Sequence, residues 1–164
     1  MQTIVAHSVG DFARDEWDAL FPGELEDWSY YRAVEHSRLP GFEWLYFAVR
    51  GNGRLLAAVP AFVTDYRLDT TLTGPLRRVT GAIARIVPRL LRQRLLSLGS
   101  PIGEFCHLGF AAGVDRAAQA RLLDILFSKV EEYAGRHGMS MLAAKDAAMA
   151  QDDLWAAAAA AHGL

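Results

Sequence analysis

The feature that most constrains the fold is a pair of β-rich runs on either side of a glycine-rich turn. Residues 43–50 and 54–63 are rich in aromatic and β-branched side chains, which favour strands. The Gly-Asn-Gly sequence at 51–53 tolerates positive φ and suits a tight turn. The two runs therefore predict an antiparallel hairpin. Pro60 in the second run cannot donate a ladder hydrogen bond, which predicts an edge position or a bulge.

The rest of the chain alternates between short strand patterns and amphipathic helix patterns. Strands are predicted at residues 3–7, 95–98, 104–110 and 139–145, and helices at 11–20, 27–37, 115–137 and from 152 or 153 onward. The strand–helix–strand order of residues 104–145 predicts a crossover with parallel pairing. Together with the antiparallel hairpin, it predicts a mixed central sheet with flanking helices. This is an α/β fold, or α+β on a stricter labelling.

Composition and charge limit the functional classes. With 164 residues, of which 52% are hydrophobic and 22% charged, the chain has the size and composition of one globular domain. A net charge of −2 gives no general attraction to nucleic acid, so we expect no nucleic-acid partner. The single cysteine and the scattered histidines argue against a metal site. Neither a signal peptide nor a membrane-spanning run is recognisable, so we expect a cytoplasmic location.

Residues 67–96 depart from this pattern because arginines alternate with Leu, Ile and Val at helical spacing. We predict an arginine-rich helical insert, kinked or split at Pro88. Three interpretations remain open. The insert covers the sheet as a solvated amphipathic helix pair, it binds an anionic substrate or cofactor phosphates, or its residues 75–96 make a peripheral contact with a membrane surface.

The order of elements resembles the GNAT superfamily of acyl-CoA N-acyltransferases, over most of the chain outside residues 67–94. More narrowly, residues 16–22, residues 54–60 and the stretch from Leu98 to Phe110 resemble FemAB-like members of that superfamily. The resemblance implies transfer of an acyl group from acetyl-CoA or another acyl-CoA to a small-molecule or peptide amine. Because such folds continue beyond the last helix predicted here, we expect one GNAT-like domain over residues 1–164 that is incomplete at its C-terminus. A homodimer partner or a missing C-terminal domain would complete it.

The resemblance also implies where acyl-CoA binds. It is expected beside the strand that ends at Phe110, with its phosphates at the loop before the following helix. That loop contains one glycine, Gly113, and one basic residue, Arg116, which could face a phosphate. Asp115 gives the alternative interpretation, in which the loop is plain and the aspartate caps the helix.

Two residues are candidates for proton transfer. Glu104 is the candidate general base for an amine that attacks a thioester, or else a solvent-facing glutamate. Tyr66, at the end of the hairpin arm, is a candidate proton donor or acceptor, or else a rim residue. Strand alternation puts Cys106 and His107 on opposite faces, which argues against a Cys-His pair and favours a buried apolar role for the cysteine.

A second functional class remains open beside the acyltransferase. The chain could be a non-catalytic GNAT-like module that binds or scaffolds a partner. The degenerate phosphate loop and the expected missing C-terminal strands favour this alternative. Cofactor binding separates the two classes, because an enzyme of this type must bind acyl-CoA and a scaffold need not.

Overall fold

The computed structural model describes residues 1–67, 92–103, 105–145 and 151–162. The strands are β1 (Gln2–Ala6), β2 (Phe42–Gly51), β3 (Arg54–Arg67), β4 (Arg92–Leu98), β5 (Gly109–Phe110) and β6 (Met141–Ala144). The α-helices are α1 (Arg14–Asp18), α2 (Trp28–His36), α3 (Arg116–Arg136) and α4 (Asp152–His162), and a 3-10 helix covers Val9–Asp11. The described strands form one mixed sheet in the order β1-β2-β3-β4-β6, with β5 also paired to β3.

The predicted hairpin is confirmed and is longer than the sequence pattern indicated. β2 and β3 pair antiparallel from Phe42 opposite Thr64 to Gly51 opposite Arg54. Asn52 and Gly53 have φ values of 51° and 79°, the positive values that a tight hairpin turn requires. The hairpin is the centre of the sheet, since β1 pairs with the outer side of β2 and β4 and β5 pair with the outer side of β3.

β4 and β5 lie along β3 as two parts of one interrupted strand. β4 pairs with the second half of β3, with Leu98 opposite Ala61. β5 pairs with the first half, with Gly109 opposite Ala58. The described residues between the two pieces, 99–103 and 105–108, belong to neither strand, and we call the segment from 99 to 108 the strand break.

Pro60 faces this break. The prediction of an edge position for Pro60 was wrong, because the residue is buried in the interior strand β3. Its carbonyl oxygen accepts a hydrogen bond of 2.7 Å from the Gly99 amide. In an antiparallel strand the N and O atoms of one residue point to the same side, so the missing N–H of Pro60 faces the end of β4. A proline is tolerated there because the neighbouring strand is interrupted.

Two predictions for the middle of the chain need correction. Residues 104–110 are not one strand, since only Gly109–Phe110 is β5, and the parallel partner of β6 is β4 instead. The helical insert predicted at 67–96 is wrong at its end, because Arg92–Leu98 is the strand β4. Residues 68–91, which hold most of the predicted insert, lie outside the described residues, as does Glu104.

The sheet separates two hydrophobic layers. Successive residues of β2 point to opposite faces, so Leu45 and Phe47 pack against α3 and α4, whereas Tyr46 packs under α1 and α2. Trp17 lies at the centre of the α1/α2 layer, with its ring 5.4 Å from that of Tyr46. The helices that close these layers begin at caps that the sequence predicted, Asp27 for α2 and Asp115 for α3.

Candidate active site

A cleft of about 230 Å³ lies beside the strand break. Its walls are residues 20–24 after α1, the segment 107–110 and the side chain of Gln151. Phe110 is half-buried on this wall, and its amide donates to the Leu20 carbonyl oxygen at 3.2 Å. The cleft thus joins the end of the interrupted strand to the loop between the first two α-helices.

Gln151 binds the backbone of the interrupted strand. Its side-chain oxygen accepts from the Leu108 amide at 3.2 Å, and its side-chain nitrogen donates to the Leu108 carbonyl oxygen at 3.0 Å. These are the two backbone groups that a neighbouring strand would otherwise satisfy. Gln151 therefore holds the start of α4 against the cleft wall.

A buried carboxylate contacts the strand break at Gly103. Glu26, in the loop between α1 and α2, is 9% exposed, and its Oε2 accepts a hydrogen bond of 2.9 Å from the Tyr31 hydroxyl. The carboxyl group rests on Gly103, where an added Cβ would lie 2.5 Å from the Glu26 Cδ atom and closer still to Oε1. Gly103 is therefore a close-approach glycine that makes room for the acid.

The break itself is held by hydroxyl and ammonium groups. The Ser100 hydroxyl is fully buried, lies 3.0 Å from that of Tyr30, and accepts from the Gly103 amide at 3.2 Å. Lys145, just after β6, donates its Nζ to the Gly103 carbonyl oxygen. These bonds hold the Gly103 backbone, against which the Glu26 carboxyl group lies.

Burial sets the protonation of the groups near Glu26. Desolvation, with a further contribution from the Glu26 charge, raises the pKa of the Tyr31 hydroxyl well above its usual value. The same two causes raise the pKa of the Cys106 thiol. The thiol is fully buried and stays protonated at neutral pH, so it is unsuited to act as a nucleophile. The prediction of a buried apolar role for Cys106 is confirmed.

The start of α3 carries the residues proposed for phosphate binding. Gly113 has a φ of 82°, and the Asp115 side chain accepts from the Ala118 amide at 2.7 Å. Arg116 donates to the Asp153 carboxylate through Nη2 and, at 3.1 Å, through Nε, and it also contacts Gln119. The side chains of this Arg116–Asp153 pair are 48% and 68% exposed, so it is open to solvent.

The structure brings only part of the predicted site together. Phe110 lines the cleft, and Gly113 and Arg116 follow it in the loop after β5 and at the start of α3 without lining the cleft. Tyr66 lies opposite Gln93 near the far end of β3, eight residues beyond Ala58, where β5 pairs. At about 3.3 Å per residue this is a separation of about 26 Å along the strand.

Sequence reasoning missed the polar groups that surround the break. These are Glu26, Tyr31, Ser100, Lys145 and Gln151. They come from four separate segments, so no spacing within the sequence connects them. The described part of the chain holds no cluster of three His, Cys, Asp or Glu side chains arranged for a metal ion. It also contains no helix with the length and apolar character needed to cross a membrane.

Solved structures have the same fold, and among them are two proteins named as acetyltransferases. An aminoglycoside 6′-N-acetyltransferase from Acinetobacter haemolyticus, in the apo form, matches 100% of this chain and 90% of its own with a TM-score of 0.55 and 13% identity. A probable acetyltransferase matches 100% of this chain and 89% of its own, with a TM-score of 0.56 and 13% identity. A tetramutant of the Bacillus halodurans BH1408 protein gives a TM-score of 0.52 at 12% identity, over 100% of this chain and 93% of its own.

No protein-family model and no curated protein matches the sequence. At 12% to 13% identity the structural likenesses establish the fold, which is the GNAT acetyltransferase fold. They give no support to the narrower FemAB-like expectation.

Proposed function

We propose that this protein is an N-acyltransferase that moves an acetyl or longer acyl group from acyl-CoA to the amine of a small molecule or peptide. The observation that carries the proposal is the strand break in a GNAT-type sheet, beside which lies a cleft whose polar lining residues are Glu24, His107 and Gln151. A structural neighbour named as an aminoglycoside N-acetyltransferase supports an amine as the acceptor.

In this proposal the amine attacks the thioester directly. Its nitrogen forms the new C–N bond at the carbonyl carbon, the C–S bond breaks, and CoA leaves as a thiolate that takes up a proton. Glu104 is the proposed base for the proton that the nitrogen loses, and backbone N–H groups beside the break polarise the carbonyl. Tyr66 lies about 20 Å further along β3 than Pro60, a distance that favours contact with the far end of an acceptor over proton transfer.

The acyl-CoA phosphates are proposed to bind at the start of α3, where Gly113 and the free helix N–H groups favour an anion. Arg116 would then exchange Asp153 for a phosphate. The exposed Arg116–Asp153 pair contributes little to stability, and a guanidinium forms stronger bidentate bonds with phosphate, so phosphate competes well for Arg116.

Thermal melts with acetyl-CoA and octanoyl-CoA test this proposal. A ligand that binds only the folded state adds about 2.7 kcal/mol of stability at 100 times its Kd, so an acyl-CoA that binds raises Tm clearly. Arg116→Glu is expected to abolish the shift. Arg121→Glu, an equal charge reversal at an exposed position of the same helix, is expected to retain most of it. Release of free CoA thiol in the presence of an amine then measures transfer.

The second candidate is a non-catalytic GNAT-like module, which one observation favours. The Asp115 side chain already accepts a hydrogen bond from the Ala118 amide, and the Asp153 carboxylate already pairs with Arg116. A bound phosphate would use the same amide and the same arginine. A cooperative melt that neither acyl-CoA shifts would support this module and contradict the transferase.

A further inference from the structure

The Glu26 carboxylate is a buried acid with no role in the reaction as proposed above. It is 9% exposed, and a buried carboxylate is costly unless hydrogen bonds or a cation compensate its charge. Its hydrogen bond from the Tyr31 hydroxyl reaches only Oε2. None of the ion pairs between described residues includes Glu26.

One described cation reaches the glycine that Glu26 contacts and is bound to its backbone. Lys145 donates to the Gly103 carbonyl oxygen, while the Glu26 carboxyl group rests against the α-carbon of the same glycine. Because residue 103 is glycine, no side chain of that residue separates the Glu26 carboxylate from the backbone of the strand break. Among the described residues, the Glu26 carboxylate is therefore hydrogen-bonded to a neutral hydroxyl and paired with no positively charged donor.

Exposed apolar side chains flank this acid and its contact glycine along the sequence. In the described part of the chain, the large hydrophobic side chains that stay exposed, apart from Met1, are Leu25 at 92%, Ile102 at 55% and Phe105 at 40%. Leu25 precedes Glu26, Ile102 precedes Gly103, and Phe105 follows two residues later. Single exposed apolar residues are common, but here they occupy the two segments that meet at the buried acid.

We infer that Glu26 binds the ammonium group of the acceptor and that the acceptor is a primary amine with an apolar body. The ammonium supplies the donor that Glu26 lacks, and the apolar body covers Leu25, Ile102 and Phe105. Before the attack the ammonium releases one proton to solvent, which leaves the neutral nitrogen that attacks the thioester. A buried carboxylate with one hydroxyl partner selects a single cation, and an apolar rim disfavours a polyhydroxylated polycation. The assignment of this amine as the acceptor rests on the proposed acyltransferase function.

Binding of simple amines to the full chain tests the inference without acyl-CoA. We expect 2-phenylethylamine and hexylamine to bind in a calorimetric titration, and we expect the neutral analogue 2-phenylethanol and the polar amine ethanolamine to bind at least about tenfold more weakly. Glu26→Gln keeps the shape and an acceptor for Tyr31 but removes the charge, so it is expected to weaken both apolar amines at least about tenfold.

Two further variants keep this test decisive. Glu132→Gln removes an exposed carboxylate charge on α3, outside the cleft wall, and is expected to leave amine affinity within about twofold. Leu25→Ser with Ile102→Ser alters only exposed side chains, so the protein should fold. This double variant is expected to weaken hexylamine and 2-phenylethylamine while leaving ethanolamine unchanged, which provides a readout if Glu26→Gln fails to fold.

The outcomes separate the inference from the proposed function. If acetyl-CoA is consumed with an amine but Glu26→Gln leaves the KM of every amine unchanged, the inference is overturned and the acyltransferase stands. If apolar amines bind in a Glu26-dependent way but neither acyl-CoA binds, the ammonium site stands and the acyltransferase fails. Absence of binding by both apolar amines to the wild-type protein also overturns the inference.

Discussion

Gly103 illustrates how one residue without a side chain allows an acid to be buried. A Cβ at this position would lie 2.5 Å from the Glu26 Cδ atom, and Tyr31 and Lys145 hold the two sides of the contact. Gly103→Ala must therefore displace the carboxylate or the strand break. Overpacking of this kind costs about 1–3 kcal/mol, which for a domain of this size lowers Tm by about 2–4 °C per kcal/mol.

Urea or thermal unfolding of two glycine variants checks this prediction. Gly135→Ala is the matched control, because it lies in the last turns of α3 and an added Cβ there meets no atom within 4 Å. Alanine in a helix is better than glycine by about 1 kcal/mol, so the control should be slightly more stable than wild type. If Gly103→Ala were as stable as Gly135→Ala, the Glu26 carboxylate would not lie against Gly103.

At the scale of elements, the start of α4 closes over the start of α3 through Asp153 and Arg116. Asp153→Asn removes the charge that competes with phosphate for the arginine. Because the pair is exposed, its loss should leave stability nearly unchanged. Such a weak competing pair also limits the expected gain in acetyl-CoA affinity, measured by calorimetry, to about fivefold. Glu132→Gln, which changes an exposed paired carboxylate further along α3, should leave the acetyl-CoA affinity unchanged. An equal effect of both variants would contradict competition between Asp153 and phosphate for Arg116.

α3 and α4 are also joined by a histidine between two carboxylates. His162 lies 3.0 Å from Glu131 through Nδ1 and 3.1 Å from Asp124 through Nε2. The hydrogen bond and charge of Glu131, followed by those of Asp124, raise the pKa of the imidazole. A raised pKa in the folded state gives stability that is complete below the unfolded value of about 6.5 and is lost as pH rises through the folded value.

We therefore expect the Tm difference between wild type and His162→Gln to be largest near pH 5.5–6, below the unfolded pKa, and to shrink between there and pH 9 as pH rises through the raised folded pKa. Thermal melts across this pH range measure it. His36→Gln is the control, since the ring of His36 contacts the Arg32 carbonyl oxygen. A Tm difference for His162→Gln that stays constant with pH would contradict the carboxylate contacts.

The elements that could be predicted from the sequence are those whose causes are local. The turn at 51–53 and the cap at Asp115 depend on residues within a few positions of themselves. The strand break could not be predicted, because the backbone of Leu108 pairs with Gln151, which is far along the chain. The site around Glu26 was missed for the same reason, since Gly103 and Tyr31 approach it only after the sheet and α2 have packed.

At the scale of the whole molecule, β2 joins the two layers because its successive side chains enter opposite faces. Leu45 packs in the α3/α4 layer, whereas the neighbouring Tyr46 packs in the α1/α2 layer. A change in one layer must therefore disturb the strand that supports the other. This arrangement predicts one cooperative unfolding unit for the described elements.

Tryptophan fluorescence can follow one layer by itself. Trp155 packs in the α3/α4 layer, and the other three tryptophans lie in or against the α1/α2 layer. Trp155→Phe therefore leaves tryptophan fluorescence that reports on the α1/α2 layer alone. In this background, Leu45→Ala should cost about 2–5 kcal/mol, although its side chain lies in the opposite layer. Its urea midpoint by fluorescence should fall together with the midpoint by far-UV circular dichroism.

Leu25→Ala, at a 92% exposed position, is the control and should move neither midpoint. If the fluorescence midpoint stayed at its original value while the dichroism midpoint fell, the two layers would unfold separately and β2 would not couple them.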